Sequence, residues 1–178
     1  MSITTGLDGI QAAGHLPSWV ISDANLPENL TNATDSIPLA AVTGATKIDC
    51  HADFGDINLN VTQTTRERRR MCQTVAVTIN TGQTINLTIR GVYDQQAADT
   101  EDINAAWSSL PVGSRVGVVR AYGWASDQEP TAETVVDLIV GEVQSVTKVE
   151  PANADEDLKF EATVSGELYL QDLALTGA

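Results

Sequence analysis

The sequence contains few of the residues on which small enzymes and metal proteins depend. Its 178 residues include two cysteines and two histidines, and aromatic residues make up 4%. Two histidines without a Cys-x-x-Cys pair or a His-Glu-x-x-His sequence do not match the ligand spacing of a zinc site. A Gly-x-Ser-x-Gly sequence and a phosphate-binding glycine loop are also missing. We therefore expect no catalytic residues, no metal and no cofactor.

Long apolar segments are missing as well. The most apolar runs, residues 116–122 and 135–140, are short and each contains a charged residue, whereas a membrane-spanning helix needs about 20 apolar residues. The first 14 residues have neither a basic cluster nor an apolar core, so they do not resemble a secretory signal. We expect no association with membranes. Two cysteines do not make a disulfide framework. We favour free, buried thiols for Cys50 and Cys72; the alternative is that the two approach each other, with residues 51–71 as an excursion between two paired strands.

Positive charge is scarce outside one short segment. The chain has 24 acidic residues against 10 lysines and arginines, a net charge of −14, and such a surface repels nucleic acid and anionic membranes. Four of the ten cations lie within five residues: Arg66, Arg68, Arg69 and Arg70. On an extended segment Arg66, Arg68 and Arg70 share one face. One interpretation is a solvated loop; the one we favour is a docking element that pairs with the acidic surface of a second copy.

Alternation of apolar and polar residues predicts a mainly β protein. Strands are expected at residues 38–49, 56–62, 74–80, 83–93, 115–124, 133–149 and 158–170, with a hairpin turn at residues 80–83. One helix is expected between an N-cap at Asp99 and the stop at Pro111, because the apolar residues between them follow helical spacing. The predicted fold is an antiparallel β-sandwich or partly closed barrel with one flanking α-helix.

The first 37 residues are expected to form an extended N-terminal arm, and residues 38–178 a single domain. Proline, glycine and polar residues interrupt every regular pattern in the arm. Isolated apolar residues remain as anchors, of which we single out Trp19, Val20 and Leu30. These anchors favour an arm that covers an apolar surface of a neighbouring subunit over a disordered one.

Several short motifs occur in an order that resembles one protein family. They are Trp-Val at 19–20, Pro-Glu-Asn-Leu at 27–30, Met-Cys-Gln-Thr at 71–74 after the arginine-rich stretch, Gly-Val-Tyr-Asp at 91–94, Asn-Ala-Ala-Trp at 104–107, Leu-Pro-Val-Gly at 110–113, Gly-Val-Val-Arg at 117–120 and Val-Ser-Gly-Glu-Leu at 164–168. Over residues 19–168 the chain resembles the major tail proteins, or tail tube proteins, of long-tailed, non-contractile bacteriophages, in the form common among phages of actinobacteria.

The resemblance implies a structural virion protein with a β-sandwich and an outward-facing helix. It implies hexameric rings that stack into a hollow tail tube for DNA delivery. Arms and a long hairpin loop, about residues 53–73 here, would bind neighbours within and between rings. The implied partners are further copies of the protein, a tape-measure protein, a tail terminator and distal tail proteins. The implied place of assembly is the cytoplasm of the host bacterium.

The acidic composition fits the passage of double-stranded DNA independently of the resemblance. A lumen of like charge leaves the counterions on the phosphates, so no counterion release favours sticking. Four carboxylates on expected solvent-facing strand positions are the lumen candidates: Glu161, Glu167, Glu142 and Asp137. The alternative, that these charges lie on the outer surface and keep the protein soluble, stays open on the sequence pattern.

Two other functions fit the predicted fold. A monomeric ligand- or carbohydrate-binding β-sandwich would need an exposed aromatic cluster, which an aromatic content of 4% disfavours. A tube protein of a contractile injection system would share the tube fold and would need a sheath partner. Electron microscopy of the purified protein separates these cases, because tubes or rings indicate a tube protein and uniform small particles indicate a binding module.

Overall fold

Eight β-strands form the framework of the protein. The computed structural model describes residues 14–28, 30, 36–72 and 74–177. Within them the strands are β1 (Ser18–Ser22), β2 (Ile37–Pro38), β3 (Thr46–Lys47), β4 (Ile57–Arg68), β5 (Val77–Val92), β6 (Arg115–Arg120), β7 (Val135–Val149) and β8 (Lys159–Thr176). Two short helices are α1 (Leu39–Thr43) and α2 (Ala105–Ser108). Single 3₁₀ turns lie at Asp23–Asn25, Asp49–His51 and Asp102–Asn104.

The strands form one sheet in the order β3-β1-β6-β7-β8-β5-β4. All neighbours along this path are antiparallel, and β2 pairs in parallel with the end of β8. The long strands β7 and β8 lie in the middle, with 15 and 18 residues. Along this path the β4–β5 pair is joined to β7, β6 and β1 through β8.

Two apolar cores hold the sheet together. The first core joins Val20 of β1 to Leu87 of β5 and Phe160 of β8, and α2 packs against it. The second core joins Trp19 and Ile21 to α1, β2 and the end of β8. A helix of four residues is too small to cover β5 and β8 alone, so the two halves of the sheet must curl and cover each other. The expected antiparallel sandwich or partly closed barrel is confirmed.

The expected irregular arm is wrong for Ser18–Ser22. These residues form β1, which lies inside the sheet between β3 and β6, and Trp19, Val20 and Ile21 are buried. A strand buried on both faces shows a continuous apolar run instead of alternation, so a period-two pattern does not reveal it. Residues 1–13, 29 and 31–35 of the expected arm lie outside the described residues.

The expected strand at residues 38–49 is also wrong over most of its length. Leu39 and Val42 are three residues apart on α1, and both pack into the second core. The helix ends at Thr43, and the N–H of the next residue, Gly44, donates to the carbonyl of Ala40 at 3.1 Å. Only the two residues of β3 are strand within 39–49.

The expected hairpin turn at residues 80–83 is wrong, because β5 runs straight through these residues. The partners of Asn80 and Gly82 are adjacent on β4, so Thr81 is an extra residue and makes a β-bulge. The Thr81 hydroxyl donates to the carbonyl of Thr64 at 3.0 Å, and the Gly82 N–H donates to the side chain of Asn80 at 3.1 Å. The turn of the hairpin lies between the ends of β4 and β5.

The expected helix exists, but its regular part is short. Asn104 is fully buried; its side chain accepts the N–H of Asp94 at 3.0 Å and donates to the Asp94 carbonyl at 2.8 Å. These bonds tie the start of the helix to the end of β5, and α2 begins at the next residue instead of near Asp99. Ala106 and Leu110 then enter the first core.

Candidate self-assembly surfaces

The β4–β5 hairpin extends beyond the body of the protein. At its base, Ile57 and Leu59 pack against the first core beside Leu87 and Ile89. Every described residue from 60 to 84 is exposed. A two-stranded ribbon without a core is marginally stable in water. The outer half of the hairpin is therefore a surface that another molecule would stabilise.

The β-bulge changes which side of the hairpin carries apolar residues. On the body side of the bulge, Ile85 of β5 faces the first core. Beyond the bulge, Ile79 lies opposite Arg66 and Val77 lies opposite Arg68, and directly paired residues share a side of the sheet. Ile79 and Val77, 40% and 50% exposed, therefore share a side with the two arginines and face away from the core side. We call these four residues the tip face.

The basic run is divided between a strand and a turn. Arg66 and Arg68 lie on β4, whereas Arg69 and Arg70 lie beyond its last residue. A shared face is therefore found for Arg66 and Arg68, but the regular alternation does not extend to Arg70. The long loop expected at residues 53–73 is mostly strand, because β4 occupies 57–68.

A polar face covers the side of the sheet opposite the first core. Two cross-strand rows define it: Asn60, Asn86, Ser165 and Glu142 in one, and Asn58, Thr88, Thr163 and Ser145 in the next. Seven of these eight side chains are uncharged. These two rows offer hydrogen-bonding groups and a single charge, that of Glu142.

Two of the expected lumen carboxylates lie on this polar face and are ion-paired. A Glu161 oxygen is 2.6 Å from Arg90 Nη2. Arg115 lies between two acids, with Nε 3.2 Å from Glu167 and Nη1 3.0 Å from Asp23. The hydrogen bond to Asp23, followed by that to Glu167, raises the pKa of Arg115 above its ordinary value. Such exposed pairs stabilise the fold by about 0–1 kcal/mol, but they neutralise much of the local charge.

Glu142 is the third lumen candidate and is exposed. It lies opposite Arg115 on β6 and opposite Ser165 on β8. No ion pair joins it to another of the described residues. Glu142 is therefore an exposed, unpaired negative charge on the polar face.

The solvent-facing position expected for the fourth lumen candidate, Asp137, is wrong. It is only 9% exposed and accepts two hydrogen bonds, from the Tyr169 hydroxyl at 2.9 Å and from the Asp172 N–H at 3.1 Å. Burial, assisted by the bond to Asp137, raises the pKa of Tyr169. Asp172 has a φ of 57°, an uncommon conformation for a residue other than glycine. Asp137 thus holds an irregular part of the β7–β8 pair together.

The expected arm anchors have a different role from the one predicted. Trp19 is 4% exposed and Val20 is 3% exposed, in the two cores of their own chain. Leu30 is partly buried and packs against the second core. Trp19 and Val20 are therefore not available to cover a neighbour's surface, whereas Leu30 keeps an exposed part.

A groove lies at the base of the hairpin, between residues 53–56 and the loop 150–158. Its volume is about 370 Å³, and we call it the base groove. Lys159 Nζ pairs with Asp53 at 2.5 Å and with Asp56 at 2.6 Å. The bond to Asp53, and after it the bond to Asp56, raises the pKa of Lys159. Phe54, next to Asp53 in the chain, is 80% exposed, and Leu158, next to Lys159, is 59% exposed. The sequence signal for this surface is Phe54, an apolar residue between Asp53 and Asp56, and the sequence-based predictions do not include it.

Both cysteines are free and exposed, so their expected burial is wrong. Cys50 lies in the 3₁₀ turn at Asp49–His51, and Cys72 lies in the turn of the hairpin. The described residues contain no cluster of three or more His, Cys, Asp or Glu placed to hold a metal ion. No helix in this part of the chain is long and apolar enough to cross a membrane.

Comparison with solved structures identifies the fold independently. A chain in a structure described as "Cryo-EM structure of the anti-feeding prophage (AFP) baseplate, 6-fold symmetrised" superposes with a TM-score of 0.51 at 9% identity. The match covers 92% of this chain and 95% of that chain. At this identity the likeness concerns the fold alone. A search of curated proteins gives no match.

Comparison with protein families covers most of the chain. The family model described as "Phage tail tube protein" matches residues 16–169. This range runs from just before β1 into the middle of β8, and it contains the whole β4–β5 hairpin, the first core and most of the second core. The chain therefore belongs to the phage tail tube protein family.

Proposed function

We propose that identical copies of this protein form hexameric rings, and that the rings stack into the tube through which phage DNA is delivered. Membership of the family makes the chain a structural protein of a phage tail and of the virion. The observation that carries the proposal is the β4–β5 hairpin, which combines an exposed tip with an edge that pairs with no other described strand. The 6-fold symmetry of the baseplate that contains a similar chain supports a ring of six.

The free edge of β4 is suited to join subunits within a ring. β4 has 12 residues, contains no proline and ends the strand order of the described sheet. Long open edges are sites of pairing with other chains. The Arg90 N–H donates to the Asp56 carbonyl at 2.9 Å; by the alternation of antiparallel bonding, the N–H groups of Val61 and Gln63 point to the free edge. A strand of a neighbour would accept these bonds.

The polar face is the proposed lining of the tube. Among its charged groups and their partners, Glu142, Glu161, Glu167 and Asp23 outnumber Arg90 and Arg115. A wall of amides, hydroxyls and excess carboxylate, in which Arg90 and Arg115 are already ion-paired, gives the phosphates little reason to release their counterions. Glu161, Glu167 and Glu142 are therefore the proposed lumen carboxylates. Paired arginines keep the repulsion moderate, so duplex DNA slides without being trapped.

The hairpin is the proposed contact between rings, through Arg66, Arg68, Arg69 and Arg70. Further partners proposed for the ends and interior of the tube are a tail terminator, distal tail proteins and a tape-measure protein. Assembly would take place in the host cytoplasm before the virion is complete. A tube protein of a contractile injection system is the alternative function, because such a protein would share the tube fold.

Electron microscopy of edge variants tests this function. Val61→Pro and Gln63→Pro each remove an N–H from the free edge while leaving the bonds to β5 in place, so both should give folded subunits without rings or tubes. Val61→Thr and Gln63→Thr keep the N–H and should assemble like the wild type. Uniform small particles from the wild type would contradict the proposal. Rings from both folded proline variants would contradict the role of the β4 edge.

A further inference from the structure

We propose that the base groove of one copy receives the hairpin tip of a second copy in the next ring. The tip face is then buried against the carboxylates of loop 150–158. This inference rests on the stacked tube proposed above, and it adds the surface that receives the hairpin and the side of the hairpin that is buried.

The tip face has the composition of a contact surface. Its two apolar residues, Val77 and Ile79, are exposed in the single subunit, and each lies across from an arginine. No ion pair joins Arg66 or Arg68 to the described residues. Apolar side chains flanked by unpaired guanidinium groups favour a partner that offers both apolar surface and carboxylates.

The base groove offers this complementary combination. Lys159 pairs with the two acids on one side of the groove, Asp53 and Asp56. On the other side, Glu150, Asp155 and Asp157 are exposed and form no ion pair with described residues. Exposed Phe54 and Leu158, which are chain neighbours of Asp53 and Asp157, supply apolar surface. Loop carboxylates would therefore bind Arg66 and Arg68, and the two apolar patches would cover each other.

The positions of the two surfaces require two copies. Asp56 directly precedes β4, whereas the tip face lies at the other end of that strand. Twelve residues of strand span roughly 36–40 Å, so a hairpin cannot bend back into its own groove. The pairing of Val92 with Lys159 keeps loop 150–158 at the base end. A contact between opposite ends of identical molecules is heterologous, and it generates a filament or tube when successive copies are displaced along an axis.

Charge reversal with rescue tests the contact. The double variant Arg66→Glu with Arg68→Glu should raise the protein concentration needed for tubes at least about tenfold, and so should Asp155→Arg with Asp157→Arg. The fourfold variant should return to within about threefold of the wild type, because the opposite charges meet again. Charge-conserving controls, Arg66→Lys with Arg68→Lys and Asp155→Glu with Asp157→Glu, should assemble at nearly the wild-type concentration. Thermal unfolding of each variant monitors the fold.

The outcomes separate this inference from the proposed function. Absence of tubes in the wild type overturns both. Wild-type tubes together with normal tubes from either folded reversal pair overturn the docking contact and leave the tube intact. Failure of the fourfold variant to recover, with the fold preserved, also overturns it, since the two surfaces then do not face each other.

The native cysteines provide a second measurement. Cys72 lies in the hairpin turn and Cys50 lies on a groove that shares Asp53 with the base groove. A long, flexible bifunctional maleimide applied to assembled protein should join Cys72 of one copy to Cys50 of the next and give a ladder of multimers. Cys50→Ser or Cys72→Ser should leave dimers at most. A wild-type pattern that stops at dimers would overturn head-to-tail docking.

Discussion

Gly141 of β7 and Gly166 of β8 lie directly opposite each other, and neither position has room for a side chain. A Cβ at Gly166 would lie 2.4 Å from Cγ2 of Ile85, and a Cβ at Gly141 would lie 2.4 Å from the carbonyl oxygen of Ser165. The two glycines let three strands approach closely where the β7–β8 register shifts. Their absent side chains are therefore part of the first core's packing.

Alanine at either glycine is expected to destabilise the subunit. Gly166→Ala displaces the buried Ile85 side chain and should cost about 1–3 kcal/mol. Gly141→Ala meets backbone, which a change of rotamer cannot relieve, so its loss should be the larger. Gly82→Ala is the control, because nothing lies within 4 Å of its added Cβ, and its change should stay within about 0.5 kcal/mol. Urea unfolding measures all three, and equal effects would contradict the close approach.

Asp137 is expected to matter for stability rather than for DNA passage. Asp137→Ala leaves the Tyr169 hydroxyl and the Asp172 N–H without this acceptor. Because Tyr169 is partly buried and Asp172 is exposed, the total loss should be about 1–3 kcal/mol. Tyr169→Phe removes one donor together with its need for a partner and should cost about 1 kcal/mol. Calorimetry of the two variants decides the point. Unchanged stability in Asp137→Ala would restore this residue as a candidate lumen charge.

Trp19 is expected to hold its own subunit together. Trp19→Ala empties space in the second core and should lower the free energy of unfolding by about 3–5 kcal/mol. Leu30→Ala, at a partly buried position, should cost less. Chemical denaturation of unassembled protein makes the measurement. Normal stability combined with loss of tubes would show instead that Trp19 contacts a neighbour.

The Lys159 ion pairs are expected to make stability depend on alkaline pH. Asp53 and Asp56 raise the pKa of Lys159 in the folded protein above its ordinary value of 10.5. The stabilisation is therefore complete below about pH 10.5 and is lost as the pH rises through the higher folded pKa. The difference in melting temperature between wild type and Lys159→Met should be constant from pH 7 to 10 and shrink above that. Lys148→Met, at a lysine bonded to Gln95, is the control, and a difference independent of pH up to 11.5 would contradict the prediction.

Strand positions could be predicted wherever one face is buried and the other is wet. Phe160, Ala162 and Val164 are buried, whereas the residues between them are not, and the pattern of β8 predicted this. The same reasoning failed for Trp19–Ile21, where both faces are buried and no alternation exists. It also failed at Thr81, because an extra residue inside a strand breaks alternation in the same way as a turn does.

For the hairpin, the sequence predicted the cluster of positive charge but not the side of the strand on which its apolar neighbours lie. The arginine cluster is visible in the sequence, and Arg66 and Arg68 share a face as the strand period predicts. Their apolar neighbours on the tip face could not be predicted, because the bulge decides which side they take. Asp137 was misplaced for a similar reason: the β7–β8 register shifts between Val136 and Leu138, which turns an apparently wet position inward.

The order of strands also determines when, during synthesis, the sheet of a subunit can be completed. The hairpin is joined to the remaining sheet through β8, the last strand along the described chain. Until the ribosome has produced that strand, the newly made chain lacks the strand that pairs with both β5 and β7. We therefore expect a prematurely terminated product that lacks β8 to have no complete sheet and no anchored hairpin.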